Sequence, residues 1–241
     1  MTTTLDSACY VFGIVPADAS VPDHDGLGLA SGLRLITDGD LAALVGDLPQ
    51  GRTLGRASDL LAHDEVVARL VAARTPVLPM RFGAVLRDDE AVASELLRAH
   101  RDEFLAELDR VRDRVQYTIR VRYREPVVLR EILAAHPELE RLRGAESFEA
   151  RLRLGELIVA GLAQRRPHDA SILLADIGLF EEISIGEPVE PDDVLTAACL
   201  VRHDDAGRFE RRVAALASRH AERMSVKLLG PSAAYDFVAR S

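Results

Sequence analysis

The 241-residue chain has no tryptophan and only two cysteines, and aromatic residues make up 5% of it. Two cysteines, Cys9 and Cys199, cannot build a disulfide framework, and each is expected as a small buried hydrophobe in a reducing compartment. Long apolar runs are missing too, none approaching the roughly 18 residues needed to cross a bilayer. Residues 1–7 lack the basic flank and apolar stretch of a secretory signal, so the cytoplasm is the expected location. Positive charge is in deficit as well. A net charge of −9 argues against phosphate-backbone binding as the main task, because that binding needs an excess of cations. Lys227 is the one lysine among 30 basic residues, a bias so complete that it reflects codon composition and carries no functional reading.

What is present is the composition of an ordinary globular chain, 48% hydrophobic and 29% charged, long enough for one large domain or two small ones. Residues 10–15 read as a buried strand ending at Pro16, and residues 18–31, rich in Gly, Asp and Pro, as a loop. Two short apolar runs, 33–37 and 41–45, flank Asp38-Gly39-Asp40 and predict a hairpin. Over 56–74 the period becomes helical, with Leu60, His63, Val67 and Leu70 on one face, and Pro76 stops it. Residues 77–86 are extended and broken by Pro79 and Gly83. Asp88 then caps a helix carrying Leu97, Phe104, Leu108 and Val111 on one stripe.

The alternation from Tyr117 to Arg124 is the cleanest strand signal in the chain. After Pro126 the pattern restarts with a short helix over 127–135. Ser147 caps a longer one reaching about Arg166, with Phe148, Leu152, Gly155 and Val159 on its stripe. Strands over 183–185 and 194–202, a helix over 206–223 built on Phe209, Val213 and Leu216, and a last strand at 224–228 follow. That order suits a ferredoxin-like unit. The fold class is therefore α+β in two domains, 1–125 and 126–241, the first with a mixed α/β sheet and the second ferredoxin-like.

No reactive constellation stands out. His63-Asp64-Glu65 lacks the second histidine of a metalloprotease helix, since position 67 is Val67. His100-Arg101-Asp102 copies a kinase tripeptide, but it falls mid-helix without the later asparagine. His63, His100 and His220 lie on or beside apolar stripes, where a histidine is ordinarily a hydrogen-bonded core residue. No catalytic, cofactor-binding or metal-ligating residue is assigned. Arg120, Arg122 and Arg124 share one strand face, fit either for an acidic partner or for carboxylates of a covering helix.

Two segments remain, Thr75-Pro76-Val77-Leu78-Pro79-Met80-Arg81-Phe82-Gly83 and Leu229-Gly230-Pro231-Ser232-Ala233-Ala234-Tyr235-Asp236-Phe237. By composition alone they are core-and-turn pieces: Pro79 and Gly83 mark a strand edge or bulge, and Gly230-Pro231 ends a strand. Taken in order with Tyr10-Val11-Phe12-Gly13, with His63, and with residues 197–201, they resemble the GvpF/GvpL family of gas vesicle proteins across nearly the whole chain. Relatives commonly carry Trp-Pro-Pro between Gly-Pro and Tyr, and Ser before Phe. Here Ser232, Ala233 and Ala234 replace the insert and Asp236 replaces the serine. The resemblance implies a non-enzymatic accessory protein, without cofactor, found at the gas vesicle in the cytoplasm. It would act in vesicle assembly or as a minor structural component, through the hydrophobic shell protein and other accessory proteins. Neither nucleic acid nor membrane is expected as a partner. Pro79, Arg81, Phe82, Gly83, Tyr235 and Phe237 are the partner-binding candidates, with residues 79–83 as a strand edge. The alternative is a small-molecule-binding regulatory α+β protein, which would need an apolar pocket with convergent polar groups. An enzyme ranks third, requiring His63 or His100 in a cleft beside a carboxylate.

Overall fold

The computed structural model describes residues 7–23, 28–49, 51–135, 147–178 and 182–238. The chain divides into two compact units, one of Met1–Gln116 with Pro231–Ser241 and one of Tyr117–Gly230. Where the sequence suggests one cut near Glu125, the chain passes from unit to unit twice. It does so inside strands that each span a boundary, so its last residues rejoin the first unit.

In the first unit β1 (Ser7–Pro16) is the central strand. On one side it pairs with β3 (Leu41–Pro49), and β3 pairs with β2 (Ser31–Asp38). On the other side it pairs with two short strands, β4 (Leu78–Pro79) and β5 (Val85–Leu86). Every pairing in this sheet is antiparallel. The predicted hairpin is present: Asp38 pairs with Leu41, and Gly39 takes the φ of +62° that a two-residue turn requires. Residues 9–15 and 41–46 are buried throughout, which is why both strands read as continuous apolar runs rather than alternations.

Helix α1 (Ala57–Ala72) packs on β1 and buries Asp59, Ala62, His63, Val66 and Leu70. Leu60, expected on that face, is 47% exposed. Asp59 explains the roll: its carboxylate accepts the backbone N–H groups of Arg56 (3.1 Å) and Gly55 (3.3 Å) and a bond from Arg52 (2.8 Å), so position 59 turns inward and 60 outward. The next helix is interrupted rather than continuous. Asp88 caps α2 (Asp89–Ala91) at the Ala91 N–H (2.7 Å), a π-helical turn spans Val92–Arg98, and α3 is Arg101–Val111. Its stripe of Leu97, Phe104, Leu108 and Val111 is buried as expected. His100, by contrast, sits at the break, exposed beside Glu103, and is not a core histidine.

The second unit runs β6 (Arg114–Tyr123), α4 (Glu125–Ala135), α5 (Phe148–Ile177), β7 (Glu182–Gly186), β8 (Asp193–Arg202), α6 (Ala206–Arg219) and β9 (Met224–Ser232) among the described residues. Its sheet order is β7-β8-β6-β9. The chain order β-α-β-β-α-β with the first and third strands central is ferredoxin-like, modified in that α4 and α5 both lie in the first crossover. Strand β9 continues through Gly230-Pro231 instead of turning there. It is an edge strand, where a residue without an N–H is tolerated.

Ser147 caps α5 as predicted, accepting the Ala150 N–H at 3.2 Å. The helix does not stop near Arg166 but runs through Pro167 to Ile177, because Leu173 and Ile177 bury beyond it. Its predicted stripe is not packed: Phe148 is 79% exposed, Leu152 55% and Val159 48%. The first half of α5 meets α4 with a different side, at Gly161, where an added Cβ would stand 3.2 Å from Ile132 Cγ2.

Candidate functional site

The first unit holds residues 75–83 and, from Pro231 on, the C-terminal segment, and each reaches α1 near His63. Leu78 and Pro79 pair with Ile14 and Gly13, and Val85 and Leu86 pair with Tyr10 and Cys9. Residues 80–84 thus stand opposite residues 11–12, and the surplus chain leaves the sheet edge as a turn. The turn is pinned at both ends, Met80 N–H to the Phe12 carbonyl (3.0 Å) and Val11 N–H to the Ala84 carbonyl (2.9 Å), and closed by Ala84 N–H to the Arg81 carbonyl (3.2 Å). Two glycines make this possible for different reasons. Gly83 has φ +95° with open space where a Cβ would be, so it supplies conformation. Gly13 supplies room, since a Cβ there would meet Val77 Cγ2 at 2.8 Å and the Leu78 carbonyl at 3.0 Å.

Under the turn lies an aromatic cluster. Gly83 N–H donates to the Tyr10 hydroxyl (3.3 Å), and that hydroxyl bonds His63 Nδ1 (2.9 Å). Phe12 stacks on the His63 ring at 5.7 Å, and Phe82 meets it edge-on at 6.1 Å. His63 is 1% exposed, and its Nε2 finds no hydrogen-bond partner among the described residues. Burial pulls the imidazole pKa below its usual value, against the opposing pull of Asp64 and the Met80 backbone, so the ring is neutral. Burial likewise pushes the Tyr10 phenol up to about 12.

The C-terminal segment reaches the same place. The Tyr235 hydroxyl donates to Asp64 Oδ1 (3.4 Å), the residue after His63. Gln116 holds Asp236 reciprocally, accepting its N–H at 2.9 Å and donating to its carboxylate at 2.5 Å, and Arg110 donates to the Phe237 carbonyl (2.8 Å). Ala233 and Ala234, in place of the insert common among relatives, are buried.

Of the six candidate residues, Arg81 and Gly83 are exposed, Tyr235 is 38% exposed and Phe82 is half-buried. Pro79 and Phe237 are buried, so they hold the segments in place rather than offering a surface. Leu60 and Leu61 add exposed apolar area on the turn of α1 leading to Asp64, at 47% and 68%. Sequence reasoning missed these two leucines, together with Tyr10 and Asp64. The i, i+4 spacing of Leu60 and Asp64 was the available signal.

Elsewhere the candidates separate. In the second unit Arg122 pairs with Asp193 of β8 (2.8 Å) and Arg124 with the Ala221 carbonyl (2.7 Å), so these two members of the row meet strand and turn groups rather than a covering helix, while Arg120 is exposed. His220 sits 3.3 Å from Asp176. Among the described residues no group of three or more His, Cys, Asp and Glu side chains is placed to hold a metal ion. His63 does have a neighbouring carboxylate, but its ring is sealed from any substrate.

Fold and geometry together define an α+β protein whose first unit displays an aromatic-backed turn at a sheet edge and whose second unit is ferredoxin-like. The model of the family described as gas vesicle synthesis protein GvpL/GvpF matches residues 8–239, and the chain belongs to that family. Gas vesicle protein F of Streptomyces sp. (strain CB03234) is 33% identical over 242 residues, covering 95% of this chain and 98% of that protein. Gas vesicle protein L of the same organism is 30% identical over 256 residues, covering 96% and 93%. The crystal structure of GvpF from Anabaena sp. PCC7120 shares the fold, with a TM-score of 0.81 at 22% identity over 98% of this chain and 99% of that one. The role of the chain is thus tied to gas vesicles. No helix among the described residues is long and apolar enough to cross a membrane.

Proposed function

We propose that the chain acts without catalysis in gas vesicle assembly, in the cytoplasm and at the vesicle, by contacting the small hydrophobic shell protein. The contact surface is the Arg81–Gly83 turn, with Tyr235 and the exposed Leu60 and Leu61 of α1 as further apolar area. One observation carries this reading. The turn is an exposed departure from a sheet edge, yet it is pinned by backbone bonds at both ends and backed by a buried aromatic cluster. A loop held this firmly loses little entropy on binding, which favours recognition. An apolar subunit needs such a partner to mask its surface, and Arg81 can pair with a carboxylate on it. Other gas vesicle accessory proteins are further partners on the same reading. No observation favours the small-molecule alternative.

Co-expression with the shell protein tests it. Arg81→Glu should lower shell-protein capture about tenfold and impair vesicle formation, with the circular dichroism of the chain unchanged. Unchanged capture and normal vesicles would refute the reading.

A further inference from the structure

Helix α5 carries one mainly apolar ladder, with Arg166 and Asp169 as its polar members: Phe148, Leu152, Gly155, Val159, Leu162, Arg166, Asp169, Leu173 and Ile177, in steps of three and four. From Leu162 onward the ladder is covered. Leu162, Asp169, Leu173 and Ile177 are buried, and Arg166 donates to the Asp193 carbonyl of β8 at 2.6 Å. Before Leu162 the same ladder stands in solvent, and the gap at Gly155 opens a concavity of about 540 Å³ between Leu152 and Val159. The uncovered part, residues 148–161, spans roughly 20 Å at 1.5 Å per residue.

We infer that this face is a parallel, two-fold contact with a second copy of the chain. The charges beside the ladder select both occupant and direction. Arg151 lies on one flank, and Glu149 and Glu156 lie on the other. Read as a heptad seam with Phe148 and Gly155 at d and Leu152 and Val159 at a, Arg151 occupies g and Glu156 the following e. That five-residue offset pairs Arg151 with Glu156 of the second copy, twice by symmetry, when the helices run parallel. An antiparallel copy would set glutamates against glutamates and Arg151 against itself. Arg151 already has a contact within its own chain, and its guanidinium has donors for another. Val159 at a favours two strands, and Gly155 lets the backbones approach closely. A seam of two heptads lies below the usual size of a stable interface, so the dimer is weak and concentration-dependent. The inference is independent of the shell-protein reading.

Sedimentation of the full chain over a micromolar concentration series tests it. The mass should rise from one chain toward two. Arg151→Glu and Glu156→Arg should each weaken association roughly tenfold, and the double swap should restore it, a rescue that misfolding cannot produce. Val159→Cys should couple to its own copy through a short bis-maleimide, while Arg153→Cys on another face should not. Four outcomes would overturn the inference: a single-chain mass at every concentration, no rescue by the swap, preferential Leu152→Cys to Val159→Cys coupling, or a monomer whose face is covered only when shell protein is added.

Discussion

Leu152 and Leu173 are the same residue on the same ladder of the same helix, yet one is 55% exposed and the other fully buried. The pattern that predicts a helix face is local, whereas what covers that face is decided by where the helix overlies the sheet. The covered half of α5 buries even a carboxylate. Asp169 accepts from the Tyr123 hydroxyl (2.6 Å) and from Arg223 (2.7 Å), and Arg223 also holds Glu131 (3.0 Å). The uncovered half keeps only its α4-facing side packed.

Substitutions along the ladder should reproduce this contrast. Leu173→Ala removes a fully buried side chain and should cost about 2–5 kcal/mol by chemical denaturation. Leu152→Ala should stay within about 0.5 kcal/mol in dilute protein, and equal costs at the two sites would break the comparison.

Asp169→Ala falls between them, at about 2–3 kcal/mol, because Arg223 keeps Glu131 and partial access to water. This carboxylate also sets a pH dependence. Burial raises its pKa, but the bonds from Arg223 and Tyr123 outweigh burial and hold it below the ordinary value. The unfolded chain therefore binds the proton first as pH falls. The stabilisation is complete above the ordinary aspartate pKa near 4 and disappears as pH drops through the lower folded value. Asp169→Ala should flatten the acid limb of a melting-temperature profile, and an unchanged limb would count against the assignment.

Much of the fold was legible because its signals are local. Alternation marked β6, Asp38-Gly39-Asp40 marked the hairpin, and Asp88 and Ser147 marked helix starts. What escaped depends on tertiary context. The helix is expected to reach only about Arg166, but buried Leu173 and Ile177 carry α5 through Pro167 to residue 177. Gly230-Pro231 looked like a turn, but an edge strand accommodates it. The candidate surface was half legible. Arg81 and Phe82 could be selected from their segment, whereas the buried roles of Pro79 and Phe237, and the link from Tyr10 through His63 and Asp64 to Tyr235, exist only once β1, α1 and the C-terminal residues are together.

Two surfaces thus have different proposed partners: the pinned turn for the shell protein, and the bare half of α5 for a second copy. Amide hydrogen exchange of the chain, alone and co-purified with shell protein, tests the central claim most directly. Shell protein should slow exchange at residues 80–86 and around Tyr235, leaving residues 148–160 as they are in the isolated chain at the same concentration. Protection confined to 148–160, with 80–86 unaffected, would contradict the account.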